Sequence, residues 1–288
     1  MTIITDEQCT AYSSPGHPER PKRIIDTLAL LRSQNELPLT WAAPIAVTEQ
    51  QVARAHTTTH IAHVKEAAED FDGDTAAHPG IYHHAMRSVG GALQAMKLAR
   101  EKKSSFSLLR PPGHHATQNQ AMGFCYFNSV AITTLDALAT GLERVVVFDF
   151  DVHHGNGTEA ILLDKPGALF CSVHQSPCYP GTGTANVGGN CFNFPVAPRT
   201  PRPEYRDVLR RALDRVVGFR PQLICVSAGF DCYAHDPLAQ ETLEAEDFQW
   251  LGEQLSATDV SLFSVLEGGY SRALPELILA YLRGIHAP

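Results

Sequence analysis

Apolar positions along the chain follow two periodicities in turn. Short aliphatic or β-branched runs at Met1–Thr5, Ser105–Leu109, Val145–Asp151, Ala168–Val173, Leu223–Ser227 and Leu262–Leu266 predict buried strands. Between them apolar residues recur every three or four positions, as at Ile24, Ile25, Leu28 and Leu31, and predict helices. Further helices are expected at 57–69, 80–103, 129–140, 157–164, 203–219, 245–257 and 274–286. Local punctuation agrees with this division. Pro18 and Pro21 suit a loop and a first helical turn, and Asn128 stands where a helix cap belongs. Arg100, Lys102 and Lys103 close the 80–103 stretch favourably against the helix dipole, and the outer face of 203–219 is rich in arginine. Strands that alternate with helices, with no repeat and no Pro/Ser linker, predict an α/β fold around one mainly parallel sheet. A single domain over residues 1–288 is the expectation.

Four of these strands end in chemistry. The Val145 run passes into Asp149-Phe150-Asp151-Val152-His153-His154-Gly155-Asn156-Gly157, and strand alternation predicts Asp149, Asp151 and His153 on one face. Two carboxylates and an imidazole on one face suit a metal, since anionic oxygen and neutral nitrogen are the donors of catalytic zinc. The plainer alternative is a set of acids that cap the following helix. Ser105–Leu109 runs into Arg110-Pro111-Pro112-Gly113-His114-His115, where the prolines present paired histidines from stiff backbone. Leu223–Ser227 empties into Ala228-Gly229-Phe230-Asp231, and Leu262–Leu266 into Glu267-Gly268-Gly269-Tyr270. Open parallel sheets carry their ligand crevice at the carboxyl ends of the strands. The four polar ends converge only if their strands are parallel neighbours.

Composition narrows the classes. With 288 residues, 44% of them hydrophobic, the chain can bury one sizeable core. A net charge of −8 argues against holding nucleic acid by phosphate neutralisation and weakly favours cationic substrates. No run approaches the length of a membrane span, and the N-terminus lacks a basic segment followed by an apolar one. Seven scattered cysteines without a CxxC pair fit reduced thiols, so a cytoplasmic location is expected.

Seven motifs follow one another along the chain: His17-Pro18-Glu19-Arg20-Pro21; Arg110 to His115; Gly123-Phe124-Cys125; Asp149 to Gly157; Tyr179-Pro180-Gly181-Thr182-Gly183; Ala228 to Asp231 with Asp236-Pro237-Leu238; and Gly268-Gly269-Tyr270. In this order they resemble the histone deacetylase family, in the bacterial, class II-like branch that includes acetylpolyamine amidohydrolases. The resemblance implies the arginase/deacetylase fold, a three-layer α/β/α sandwich. It implies a metal held by Asp151, His153 and Asp231 with one position open, zinc being expected and iron(II) the alternative. Asp149 would orient His114, His115 would be the general base with Asn156 as its partner, and Tyr270 would donate its hydroxyl to the substrate carbonyl. Class I relatives carry an aspartate where this chain has Asn156, so His115 should be less basic here.

The resemblance also implies a narrow channel walled by Phe124 and Tyr179. Gly123 would accept the substrate amide proton through its backbone, Leu238 would stand at the rim, and Gly269 would also contact substrate. A structural potassium ion is implied at Asp149, Asp151, His153, Ser172 and Val173, mostly through backbone oxygens, while Lys165 falls in the stretch of a second monovalent site. The implied activity is hydrolysis of the amide of an acetylated amine. Relatives specialised for acetylpolyamines can carry a glutamate where this chain has Leu238, which favours the acetyl-lysine of proteins or peptides over a small acetylated amine. A two-manganese ureohydrolase shares the fold, but the Asp-Phe-Asp-Val-His order with Tyr270 does not suit it. A non-catalytic acyl-lysine-binding protein would need neither His115 nor Tyr270. His17 is expected to border the mouth, and the other histidines, His60 and His63 among them, to be structural or exposed.

Overall fold

The computed structural model describes residues 1–286. Eight strands form one all-parallel sheet: β1 (Thr2–Ile4), β2 (Thr40–Ala42), β3 (Ser105–Ser107), β4 (Val145–Asp149), β5 (Ala168–Gln175), β6 (Cys191–Val196), β7 (Leu223–Ala228) and β8 (Leu262–Leu266). Their order across the sheet is β2-β1-β3-β8-β7-β4-β5-β6. The helices are α1 (Lys22–Ser33), α2 (Glu49–Val52), α3 (Thr58–Lys65), α4 (Ile81–Arg100), α5 (Ser129–Ala139), α6 (Asn156–Leu162), α7 (Arg202–Gly218), α8 (Ala245–Ser256) and α9 (Leu274–His286). No helix among the described residues is long and apolar enough to cross a membrane.

The three-layer sandwich follows from strand alternation. On β3, Ser105 Oγ bonds the Ala95 carbonyl of α4 at 3.1 Å, while the next residue, Phe106, stacks beside Tyr281 of α9. Successive side chains therefore meet opposite helical layers. Elsewhere Thr134 of α5 reaches Cys225 of β7, and Ser264 of β8 bonds the Tyr281 hydroxyl at 2.8 Å. Central strands buried on both faces are apolar throughout, as in Val145-Val146-Val147-Phe148.

Local rules explain most boundaries. Asn128 caps α5 by accepting from the Ala131 amide at 2.9 Å. α3 stops at Lys65, short of the expected 69, where acids follow (Glu66, Glu69, Asp70) that oppose the dipole at a helix C-terminus. α4 ends at Arg100, before Lys102, whose φ of +58° no helix accommodates. β4 stops at Asp149 because the Asp149 side chain accepts from the Asp151 amide at 3.1 Å, a local turn that competes with the ladder. Strand alternation therefore does not place Asp151 and His153, as the sequence suggested; a tight loop does. The two strands the pattern did not announce, β2 and β6, are the sheet edges. Neither is an apolar run, and β6 contains Pro195, which edge strands tolerate.

The order matters most at the centre. β3, β8, β7 and β4 are consecutive neighbours, so the four polar strand ends lie side by side on one edge.

Candidate active site

Asp151, His153 and Asp231 come together at the ends of β4 and β7, with one potential ligand atom from each lying within 4.8 Å of the others. His153 Nδ1 stands 3.1 Å from Asp151 Oδ1 and 3.1 Å from Asp231 Oδ2. All three are buried, and each carboxylate is held by backbone: Asp231 accepts from the Val152 amide, Asp151 from the amides of His153 and Gly268. Burial pushes the Asp231 carboxyl up, and the neighbouring Asp151 charge adds to it. Burial works against the charge of His153, but hydrogen bonds to Asp151 and Asp231 outweigh it and raise its pKa well above the ordinary value. Two buried carboxylates this close are costly without a cation between them. Two carboxylate oxygens and one imidazole nitrogen are a donor set that zinc accepts while keeping a position open, so the residues fit the group. The loops are glycine-rich for a steric reason: a side chain at Gly229 or Gly268 would collide with the Asp151 carboxylate.

The loop after β3 brings in the paired histidines, whose rings lie 4.0 Å apart. His114 Nδ1 bonds Asp149 Oδ2 at 3.1 Å, and its Nε2 is 3.8 Å from Asp151. Burial opposes protonation of His114, but Asp151 and Asp149 prevail and raise its pKa to about 10. His115 is the opposite case. Burial, followed by the charges of His114 and His153, holds it well below the ordinary histidine value, so it is neutral at pH 7. Its tautomer follows from its partner. Asn156 aims Nδ2 at the Met122 sulfur and Oδ1 at His115 Nδ1, 2.8 Å away. An amide oxygen can only accept, so His115 Nδ1 carries the proton and Nε2 keeps a free lone pair.

Tyr270 follows β8 on Gly268-Gly269, with its amide bonded to Asp236 Oδ2 at 2.7 Å and the Arg23 guanidinium over its ring at 4.9 Å. Burial keeps its phenol protonated, hence a hydrogen-bond donor. A cavity of about 360 Å³ brings His115, His153 and Tyr270 together with Gly123, Phe124, Tyr179 and Leu238. His17, Pro18 and Asp74 complete its lining. Gly123 (φ +56°) presses against the His115 ring so closely that a Cβ would clash, and Phe124 follows at φ +70°, a conformation that costs a non-glycine residue about 1–3 kcal/mol. A hydrogen bond from the Phe124 amide to Thr75 Oγ1 holds it there. Gly269 is not in the lining; its carbonyl accepts from Arg23 Nε at 2.7 Å.

Beside the triad, Asp149 and Ser172 are register partners across β4 and β5, with Val173 fully buried next to them. His174 Nε2 faces the Gly183 carbonyl at 3.0 Å and must donate, so its Nδ1 accepts from the Ser172 hydroxyl at 2.8 Å. The Ser172 oxygen keeps lone pairs for a cation. Lys165 is exposed. His60 is buried against the Tyr126 carbonyl, as a structural histidine would be.

Several residues that shape the site carried no role in the sequence reading: Arg23, Asp74, Asp236 and Glu267. The signal that marked Asp149, an acid closing an apolar strand, also marks Glu267. Arg23 is a charge on the buried side of an amphipathic helix.

Residues 17–285 match the histone deacetylase domain family. A probable deacetylase of Methanothermobacter thermautotrophicus is 37% identical over 302 residues, covering 99% of this chain and 90% of the relative. An acetylpolyamine amidohydrolase of Mycoplana ramosa is 33% identical across 71% of this chain and 62% of its own length. Among solved structures, the HD domain of HDA15 superposes with a TM-score of 0.91 at 29% identity, over 98% of this chain and 88% of that one. The strand-end site sits in a scaffold shared along nearly the whole sequence, and the chain belongs to the histone deacetylase family as a hydrolase of that type.

Proposed function

We propose that this chain is a zinc-dependent deacetylase that hydrolyses the amide of an acetylated amine, with the acetyl-lysine of a protein or peptide as the favoured substrate. The observation that carries the reading is the placement of His115: its Nδ1 is bonded to Asn156 Oδ1, which leaves Nε2 as the free nitrogen, in the cavity that also holds Tyr270 and the triad residue His153. Zinc held by Asp151, His153 and Asp231, with iron(II) the alternative, would supply Lewis-acid polarisation of the acetyl carbonyl and a more acidic water.

The chain's own residues do the rest. His115 Nε2 takes the proton of the attacking water, and the imidazolium so formed returns it to the departing amine. The Tyr270 hydroxyl donates to the carbonyl oxygen as negative charge develops there, from a backbone already bolted to Asp236, so little reorganisation accompanies the step. His114, kept by Asp149, remains charged and lowers the basicity of its neighbour. Phe124 and Tyr179 enclose the acylated stem and exclude water, and Gly123 accepts the amide proton. A potassium ion at Asp149, Asp151, His153, Ser172 and Val173 belongs to the same proposal, supported by the free Ser172 lone pairs. Seven unpaired cysteines, six of them buried, suit a reducing cytoplasm.

A second reading, a small acetylated polyamine as substrate, rests on Asp74, the one carboxylate lining the cavity among the described residues, and on the Mycoplana ramosa relative. Against it, the rim carries Leu238, apolar and 37% exposed. The test is acetate release from an acetyl-lysine peptide, an N-acetylated polyamine and longer acyl-lysines. The expected result is release from the peptide that chelation removes and one equivalent of zinc restores. Release from the polyamine alone moves the assignment to the second reading, and release from none overturns both.

A further inference from the structure

Glu267 closes β8 with a side chain that is completely buried and has no ion pair among the described residues. A carboxylate in that position is costly unless its oxygens are satisfied. Glu267 Oε2 accepts from two consecutive amides, Gly113 at 2.7 Å and His114 at 3.1 Å, and Oε1 lies 3.5 Å from the Ser227 hydroxyl of β7. Pro111 and Pro112 have no N–H to offer. Gly113 and His114 are thus the first backbone donors after the two prolines on the way to His115, and one oxygen holds both. The loop cannot ease away: a Cβ at Gly113 would lie 2.8 Å from the Phe127 carbonyl oxygen and from the Ser129 amide nitrogen.

The other side of the clamp is the strand end that presents Tyr270. The Glu267 carbonyl accepts from Arg23, the Gly268 amide bonds Asp151 at 2.7 Å, and the Gly269 carbonyl accepts from Arg23 at 2.7 Å. Three residues thus tie the tyrosine to α1 and to the triad, and the hydrogen bonds that cross from them to the histidine loop among the described residues come from the Glu267 side chain. β3 and β8 are neighbours, with Ser107 opposite Val265, so the bridge is short.

We propose that Glu267 is a positioning residue: its carboxylate sets the distance between His115 and Tyr270 by clamping the Gly113–His114 backbone to the Tyr270 strand end. The proposal rests on the deacetylase reading for its kinetic readout. Binding of substrate through the channel walls does not involve the clamp, whereas the reacting geometry does, and an ångström of misplacement costs about 100-fold.

The test uses three variants of the zinc-loaded enzyme. Glu267→Met removes the acceptor at nearly constant length, Glu267→Asp keeps the charge but falls one methylene short, and Glu267→Gln keeps an acceptor oxygen while its amide can face Ser227. Met and Asp are expected to lower kcat about 10- to 100-fold with KM within about twofold, and Gln to stay within about threefold of wild type. The ring N–H resonance of His115, bonded to Asn156, is expected to shift in Met and Asp but not in Gln. If Met fails to fold, Asp carries the comparison. Wild-type kcat and an unmoved resonance in Asp overturn the proposal, as does a Gln variant as impaired as Asp, which would assign the effect to charge. If wild-type enzyme hydrolyses no acetylated amine, the deacetylase reading fails and the resonance alone decides the clamp.

Discussion

At the residue scale the site gives two adjacent histidines opposite surroundings. His114 is paired with carboxylates and His115 with an amide, so one is held charged and the other neutral. If His115 is the base and Tyr270 the hydroxyl donor, His115→Ala should lower turnover by at least about 100-fold. Tyr270→Phe should lower it by about 100- to 1000-fold, with zinc content unchanged in both. Wild-type rates in the two variants would remove both roles. A different histidine contributes to acid stability. His56 is buried, its Nε2 accepts from the Asn128 amide at 2.9 Å, and burial with the nearby His60 lowers its pKa from 6.5 to about 3. Between those values the unfolded chain binds a proton that the folded chain refuses. Stability from this group is therefore complete above pH 6.5 and falls as pH drops toward 3, by about 1.4 kcal/mol per unit. Urea unfolding at pH 7, 6 and 5 should show a slope shallower by about one proton in His56→Gln than in wild type. Equal slopes would contradict this account.

At the scale of elements, the stiff point is the join between the segment before α1 and the loop after β3. Arg110, with no exposure, forks onto Glu19, donates to the carbonyls of Cys9 and Tyr12, and stacks on the Tyr12 ring at 4.0 Å. Burial raises the Glu19 carboxyl, but Arg110 outweighs it and holds the pKa below the ordinary value. Removing one partner of such a pair leaves a buried charge, so Glu19→Gln should cost about 3–5 kcal/mol in thermal unfolding. The double variant Glu19→Gln/Arg110→Met should cost no more than the single one, because the uncompensated Arg110 charge is gone and only Arg23, which also pairs with Glu19, is left unmatched in both. Additive losses would show that the two groups act separately. Every helix but the single turn α2 was legible from apolar periodicity, and the α5 cap from Asn128. Edges and ends were not: β2 and β6 bury too little to leave an apolar run, and β4 ends where its own Asp149 folds back on the Asp151 amide.

At the scale of the whole molecule, the three candidate ligands come from the ends of two neighbouring strands that lie far apart in sequence, Asp151 and His153 after β4 and Asp231 after β7. A cation bound by all three therefore favours the folded chain over the unfolded one. At a thousandfold excess over its Kd, zinc should stabilise the chelated protein by about 4 kcal/mol, read as a rise in Tm. Asp231→Ala should abolish the rise, and an unchanged shift in that variant would place the ion elsewhere.

The sequence by itself determined the alternation of strands and helices, the polar character of four strand ends, and the kinds of side chain they offer. These are legible because burial and local turns are properties of single residues and near neighbours. Only the tertiary structure decided that β3, β8, β7 and β4 lie in a row, and that Glu267 reaches Gly113 across 154 positions, Arg110 reaches Glu19 across 91 and Arg23 reaches Gly269 across 246. Such pairings depend on strand order and on which buried polar groups must satisfy one another, and no local periodicity records either.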